Sequence, residues 1–336
     1  MIYLVFVEWG STKGNHAGMA YLAKSISESF PDNIRLIKIP CYHFPCGKYV
    51  VRLIAFVKLI CLLFLLRRGD KVFLMEYLEN KLSKLDKWAR IIKLLYPNTY
   101  IIGLVHFVPS VLENYYPNSS IMIKYTNYID ELLVLGSSLK KYLIQKGIPS
   151  HKVITTYHYV DNDFYFRKPK ETNEISVIFM GSLKRDFKLL KEVIQKTPTI
   201  KFHILMGRNK LDALFADMNN VILHPFISEN ELRDIMQSCD ISLNVMEDTI
   251  GSNVIVTSMS TGLAMVVSNV GSIRDYCDET NAVFCENILD YTNGIKLLAD
   301  NLSLLNSMKQ SSWEKAQKIS LANFRIWFKS KYLNKS

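Results

Sequence analysis

The sequence predicts an α/β protein of two consecutive domains, each a mostly parallel sheet wound on both faces by helices. Three observations predict it. Apolar strand-like runs alternate with stretches of helical period along nearly the whole chain. The alternation breaks once, around 162–174, and then resumes. The length of 336 residues is too great for one ordinary small domain and suits two of about 150.

Strands are expected at Ile2–Val7, Ile34–Ile39, Lys71–Glu76, Tyr100–Val105, Glu131–Leu135 and Lys152–Thr156 in the first half. After the first strand comes a loop, Ser11–Gly18. A helix then starts near Met19 and carries Tyr21, Leu22, Ile26 and Phe30 at helical spacing. The polar stretch 167–174 lacks any period and reads as a linker. Beyond it, strands are expected at Ile175–Met180, Lys201–Met206, Val221–Leu223, Ile241–Val245, Leu263–Ser268 and Ala282–Cys285. The domains are therefore placed at 1–166 and 175–320, two Rossmann-like doubly wound halves facing a cleft. Ligands of such sheets sit at the carboxyl ends of the strands.

Composition narrows the class. Apolar residues make up 49% and charged residues 21%, as in a globular chain with large cores. The net charge is +10 and is unevenly placed. Residues 1–168 carry 22 Lys and Arg against 12 Asp and Glu, whereas 169–336 carry 19 of each. An anionic partner is expected for the first half alone: anionic lipid, a lipid diphosphate or nucleic acid. Nucleic acid ranks last, because no basic stripe with interleaved aromatics marks a known module. Cysteines stand at 41, 46, 61, 239, 277 and 285 without CxxC spacing, which reads as free thiols in a reducing cytoplasm. No basic region precedes the Ile2–Val7 run, so no secretory leader is expected.

Two segments bear on membranes. Val50–Leu66 is almost wholly apolar, is interrupted by Arg52 and Lys58, and closes with Arg67 and Arg68. Its uninterrupted part is shorter than the roughly 20 residues a bilayer span needs. Lys81–Tyr96 places Leu85, Trp88, Ile91, Ile92 and Leu95 on one helical arc and Lys87, Arg90 and Lys93 on the other. Such a helix either lies on an anionic membrane or packs its apolar arc on the sheet.

The chemistry concentrates in Gly251–Gly271. Gly251 permits a tight turn, Ser252 can cap a helix running to Thr261, Gly262 ends it, and a buried strand leads to Gly271. The backbone N–H groups of Ser252, Asn253 and Val254 at the helix start suit a diphosphate. An ordinary helix of a parallel sheet would have the same outline.

This segment resembles the donor-binding signature of GT-B glycosyltransferases, especially the large family 4. The matches in register are Gly251, Asn253, Met259, Gly262, Val266, Val267 and Gly271. Others follow in order along the chain: Met180-Gly181 to Asp186, Phe202–Gly207, His224-Pro225-Phe226-Ile227-Ser228, and Val134–Ser137 through Asp161. The resemblance implies a two-domain GT-B enzyme whose neutral second half binds a nucleotide diphosphate sugar. Its donor site would include Gly181, Gly207, His224, Phe226, Ile227, Gly251, Ser252, Asn253, Val254 and Thr257. The first half would bind the acceptor, and a final helix at 321–336 would return to the first domain. The family's two glutamates, eight positions apart, fall here on Thr249 and Thr257. Glu247 and Asp248 stand just upstream as alternative carboxylates.

Arg185, then Lys188, is the candidate diphosphate clamp: a cation there stabilises the charge that grows on the leaving group without a metal. A solvated charge run is the plainer reading. No Asp-x-Asp pair follows a strand, and Asp161-Asn-Asp163 sits at the linker, so no metal and no cofactor beyond the donor substrate is expected. His106 occupies the place of a histidine that faces the transferred sugar in resembling enzymes. Gly14, Asn15 and His16 lie in the loop where they place the acceptor, and His16 suits a general base for inverting transfer. For both histidines a structural role is the alternative. The expected protein is a metal-independent glycosyltransferase on the cytoplasmic face of the inner membrane. It would move a hexose-type unit to a lipid-linked glycan in bacterial capsule or O-antigen (lipopolysaccharide) assembly. A GT-B epimerase and a non-catalytic GT-B partner subunit stay open.

Overall fold

The structure, a computed structural model, describes residues 1–10, 14–41, 47–78, 84–170, 174–207 and 209–334. The start of the predicted Ser11–Gly18 loop, Cys46, the Lys81 end of the amphipathic segment and 171–173 of the predicted linker lie outside the described residues. The chain forms two compact units, Met1–Tyr157 with Arg325–Ser336, and His158–Phe324.

In the first unit six strands, β1 (Ile2–Trp9), β2 (Ile34–Cys41), β3 (Lys71–Leu74), β4 (Tyr100–Val105), β5 (Glu131–Val134) and β6 (Val153–Thr155), pair in the order β2-β1-β3-β4-β5-β6. Every pairing is parallel. The inner strand β1 is buried from Ile2 to Val7, so its sequence is a continuous apolar run rather than an alternating one. Helices α1 (Gly18–Ser29), α2 (Gly47–Leu65), α3 (Leu85–Leu95), α4 (Pro109–Tyr115), α5 (Ser119–Thr126) and α6 (Ser137–Gln145) connect the strands.

The second unit repeats the plan. Strands β7 (Ser176–Phe179), β8 (Lys201–Leu205), β9 (Val221–His224), β10 (Ile241–Asn244), β11 (Ala264–Ser268) and β12 (Ala282–Cys285) pair in the order β12-β11-β10-β7-β8-β9, again all parallel. They are linked by α7 (Phe187–Gln195), α8 (Asp212–Phe215), α9 (Glu229–Ser238), α10 (Asn253–Ser260) and a short 3-10 turn at Ile273–Asp275, and α11 (Ile288–Asp300) and α12 (Leu302–Lys318) follow β12. Phe179, Phe202, Ile204, Leu243, Val266 and Ile295 form the centre of its core. Helix starts follow sequence signatures. Asp186 caps α7, and Ser228 with Glu231 and Asn287 with Asp290 form capping boxes for α9 and α11.

All twelve expected strands are present, with ends displaced by no more than two residues. The units divide at Tyr157/His158, and the segment 167–174 lies inside the second unit. Val160 N–H donates to Ile319 O, Leu321 N–H donates to Val160 O, and the buried Tyr165 gives its hydroxyl to Glu229 at 2.6 Å. The chain leaves the second unit within α13 (Leu321–Phe328). In the first unit Phe328 then stacks on Phe73 at 6.0 Å, and Arg325 Nε donates to Ser25 Oγ at 2.8 Å.

The two membrane-related segments behave differently. On α3 most of the apolar arc is packed: Leu85, Trp88 and Ile92 are buried and Ile91 is half-buried, while Leu95 at the helix end is 60% exposed. Lys93 is tied to Asp130 at 2.7 Å and to Thr99 O, which leaves Lys87 and Arg90 exposed. Most of that apolar arc therefore faces the interior of the first unit. On α2 only Val51, Ala55, Leu59, Leu62 and the first residue, Gly47, are buried. Among the described residues no helix is long and apolar enough to cross a membrane.

Candidate functional site

In the second unit the chain runs outward in opposite directions from β7: to β8 and β9 on one side, to β10, β11 and β12 on the other. The loops after β7 and β10 therefore part at the carboxyl edge and leave a crevice there, the place where doubly wound sheets bind ligands.

After β7 the chain passes Met180 and Gly181 and turns through Lys184, at φ 53°, to Arg185. Arg185 pairs with Met246 beyond β10, and its Nε donates to Met180 O at 3.2 Å. Its guanidinium lies over Gly181, about where a side chain would project, and Val254 approaches the same point. Gly181, Arg185 and the start of α10 are thus brought together, although the three are scattered in sequence. Burial lowers the guanidinium to about 10, so it stays cationic at neutral pH.

After β10 the loop is fixed by its own polar groups. Met246 N–H donates to Ser268 Oγ at 2.6 Å, Thr249 N–H to Asp248 Oδ1 at 2.8 Å, and Gly251 N–H to Thr249 Oγ1 at 3.2 Å. Gly251, at φ 89°, lies under the ring of Tyr276, whose hydroxyl accepts from His158 N–H at 2.9 Å. Gly271, at φ 57°, lies against Thr249 O, leaving no room for a side chain. Ser252 then caps α10, its Oγ accepting from Ile255 N–H. The first-turn N–H groups of Asn253 and Val254 have no intrahelical acceptor by position, and with the helix dipole they make an electropositive edge.

The two threonines at the glutamate positions are committed to the backbone. Buried Thr249 accepts from Gly251. Buried Thr257 donates its hydroxyl proton to Asn253 O at 2.6 Å and keeps only lone pairs to offer. Of the two alternative carboxylates, Asp248 is turned inward to Thr249 N–H and burial raises its pKa. Glu247 is the exposed one, held by Glu247 N–H donating to Lys184 O and by its Oε2 at 3.5 Å from Lys184 Nζ.

The remaining donor-side candidates sit farther along the same edge. Gly207 follows β8, and His224 ends β9. His224 stacks on His203 with Nδ1 of His203 3.0 Å from its Nε2, and burial lowers both rings, His203 to about 4. Phe226, 63% exposed, and Ile227 lead into α9, with β8 between their strand and the Arg185 crevice. Lys188 is exposed on α7.

The other candidates belong to the first unit, also at its carboxyl edge. Gly14 (φ 91°), Asn15 and His16 follow β1, and the His16 ring meets Tyr21 at 4.9 Å. His106 follows β4 and touches Phe107 at 5.6 Å, which in turn meets Tyr115 at 5.5 Å. Tyr115, Tyr116, Tyr125, Asp86 and Lys84 line a hollow of about 210 Å³, in which burial raises the Asp86 carboxyl. Sequence reasoning missed this hollow, as it missed Tyr276, Lys184 and Ser268. Each acts on a residue distant in sequence, and no local motif marks it.

Residues 174–301 match the family of glycosyl transferases group 1. The sequence matches no protein of curated function. The fold matches that of Anabaena HepE in complex with UDP and glucose, with TM-score 0.76, 11% identity and 99% of each chain covered. It also matches the sucrose-phosphate synthase of Thermosynechococcus elongatus, with TM-score 0.78, 10% identity, and 99% of this chain and 98% of that one covered. A glycosyltransferase from Rickettsia africae matches with TM-score 0.70 at 13% identity, covering 100% and 99%. The architecture is that of the GT-B glycosyltransferases, and the second unit is group 1-like in sequence.

Proposed function

We propose that the chain is a metal-independent glycosyltransferase that takes a sugar from a uridine diphosphate donor held at the Arg185 crevice. The observation that carries this reading is the convergence of Arg185, Gly181 and the free first turn of α10 at the switch point of a unit that matches the group 1 family. Neighbours of the same fold supply the base, since HepE has been solved with UDP and with UDP-glucose.

In the transfer the bond between the anomeric carbon and the diphosphate oxygen breaks, and one to an acceptor oxygen forms. The leaving UDP gains negative charge, which Arg185 and the N–H groups of Asn253 and Val254 neutralise. Gly251 and Ser252 set the approach of the diphosphate, Thr257 offers the ribose an acceptor only, and Gly207, His224, Phe226 and Ile227 form the base side. Lys188 adds positive potential. The acceptor proton passes to His16 or to Glu247, and His106 contacts the transferred sugar. The first unit binds the acceptor near Gly14 and Asn15. That acceptor is a lipid-linked glycan of bacterial surface polysaccharide assembly, met at the cytoplasmic face of an anionic membrane, which accounts for the excess charge of residues 1–168.

Thr249 and Thr257 favour one second reading, a GT-B subunit that binds a nucleotide without turning it over, because both hydroxyls serve the backbone. Thermal stabilisation by UDP-, GDP- and dTDP-sugars, followed by UDP release with acceptor, tests both. The proposal expects stabilisation by UDP-sugars and release. Stabilisation without release selects the second reading, and no stabilisation by any sugar nucleotide refutes both.

A further inference from the structure

The helix α2 presents an apolar face to solvent that its own unit does not cover. One stripe, Val51, Ala55, Leu59 and Leu62, is buried. Phe64 is 87%, Leu53 64%, Tyr49 59%, Phe56 56%, Val57 49% and Ile60 38% exposed. On a wheel of 3.6 residues per turn these six fall in one arc of about 100°. Val50 and Leu65, 37% and 44% exposed, widen the apolar arc to about 180°, and Arg52 and Lys58 then border it on either side. Lys48 opens the helix, and Arg67 and Arg68 follow it. All five cations are exposed. From Asn33 to Gly69 the chain has seven Lys and Arg and no Asp or Glu. A groove of about 270 Å³ runs from Phe56 and Arg52 of α2 to Trp88, Lys84 and Lys87, continuing the apolar floor with a cationic rim.

We infer that α2 is a membrane-inserted anchor lying along an anionic bilayer, its exposed apolar side chains below the headgroups and its flanking arginines and lysines among the lipid phosphates. The inference rests on the membrane-attached part of the proposed function and moves the main contact from α3, where Leu95 alone of the apolar arc is exposed, to α2. Large uncovered apolar area of this kind marks an interaction surface. Charge selects the occupant. A second copy of the chain would set Arg52, Lys58, Arg67 and Arg68 against their own counterparts with no nearby acid on this segment, whereas anionic lipid neutralises them. The buried stripe holds α2 against its sheet, so the helix, about 28 Å long, lies flat at the interface instead of crossing it.

Flotation of the full chain with phosphatidylcholine vesicles containing phosphatidylglycerol tests this. Wild type floats. The combined Leu53→Ser, Phe56→Ser, Phe64→Ser variant, altered only at exposed positions, loses about a hundredfold in apparent partitioning. Arg52→Gln, Lys58→Gln, Arg67→Gln and Arg68→Gln together lose at least as much at low salt. UDP-dependent thermal stabilisation stays at the wild-type level in both, which separates failure of the anchor from failure of the donor reading. Flotation that survives the serine variant overturns the inference. So does a wild type that fails to float, or a serine variant whose only change is the dissociation of a dimer.

Discussion

Gly251→Ala tests the donor loop most directly, because its cost can be worked from the coordinates and has an internal control. An ideal Cβ at Gly251 lies 2.3 Å from Cζ, 2.4 Å from Cε2 and 2.5 Å from the hydroxyl oxygen of Tyr276. Ordinary contact is about 3.5–4 Å, so the overlap exceeds about 1 Å. The ring is buried and its hydroxyl accepts from His158 N–H, so retreat costs that bond as well, about 1 kcal/mol. Holding an alanine at φ 89° adds about 1–2 kcal/mol and overpacking about 1–3 kcal/mol, for a total of roughly 3–6 kcal/mol. Gly207 also has positive φ, 59°, but nothing lies within 4 Å of its Cβ position, so Gly207→Ala bears only the backbone cost of about 1–2 kcal/mol. Urea unfolding of both variants and wild type, followed by circular dichroism, reads the difference. UDP affinity falls in Gly251→Ala as the first turn of α10 shifts. Equal destabilisation of the two variants, within about 0.5 kcal/mol, would refute the packing of Tyr276 over Gly251.

Arg185→Ala weakens UDP binding by about 1–3 kcal/mol, the scale of a lost charge-assisted bond, as read by calorimetry. An unchanged affinity removes Arg185 from the site. The His203 and His224 pair gives the second unit an acid limit. His203 titrates near 4 in the fold against 6.5 unperturbed, so between those values the unfolded chain binds more protons and stability falls as pH drops from about 6.5 toward 4. His203→Gln flattens that slope in thermal melts at graded pH, and an unchanged slope counts against the pair. Tyr332→Phe deprives buried Glu131 of one donor and lowers the melting temperature of the full chain by an amount equivalent to about 1–2 kcal/mol. A melting temperature equal to wild type would show that Lys331 and Tyr100 suffice.

The layout of strands was legible because buried parallel strands write themselves as short apolar runs, as in Ile2–Val7 and Ala264–Ser268, with turn residues between. The Ser252 cap and the glycines at 251 and 271 were legible for a similar reason: each answers a local demand of backbone geometry, whereas Gly181 was reached only through the family resemblance. What escaped was set by distant partners. Tyr276 closes over Gly251 from 25 residues away. Thr257 spends its proton on its own helix, a choice of rotamer that composition does not reveal. The exposure of α2 escaped for another reason. Its sequence is apolar almost all round, so periodicity could not say which side the sheet covers, while on α3 the clean division of polar and apolar arcs marked the packed side.

The carboxylate of Glu131 has a consequence for how the molecule is made. It is buried in β5 and takes its donors from Tyr332, from Lys331 at 3.0 Å and from Tyr100. Two of these belong to the segment that returns to the first unit, 201 positions downstream in the case of Tyr332. Phe73 on β3 likewise gains Phe328 only then. During vectorial synthesis the earlier unit therefore emerges first yet is sealed last, after His158–Phe324 has left the ribosome. A nascent chain stalled before residue 325 carries a first unit with a charged gap in its sheet, and the emergence of 325–332 is itself the closing step of that unit.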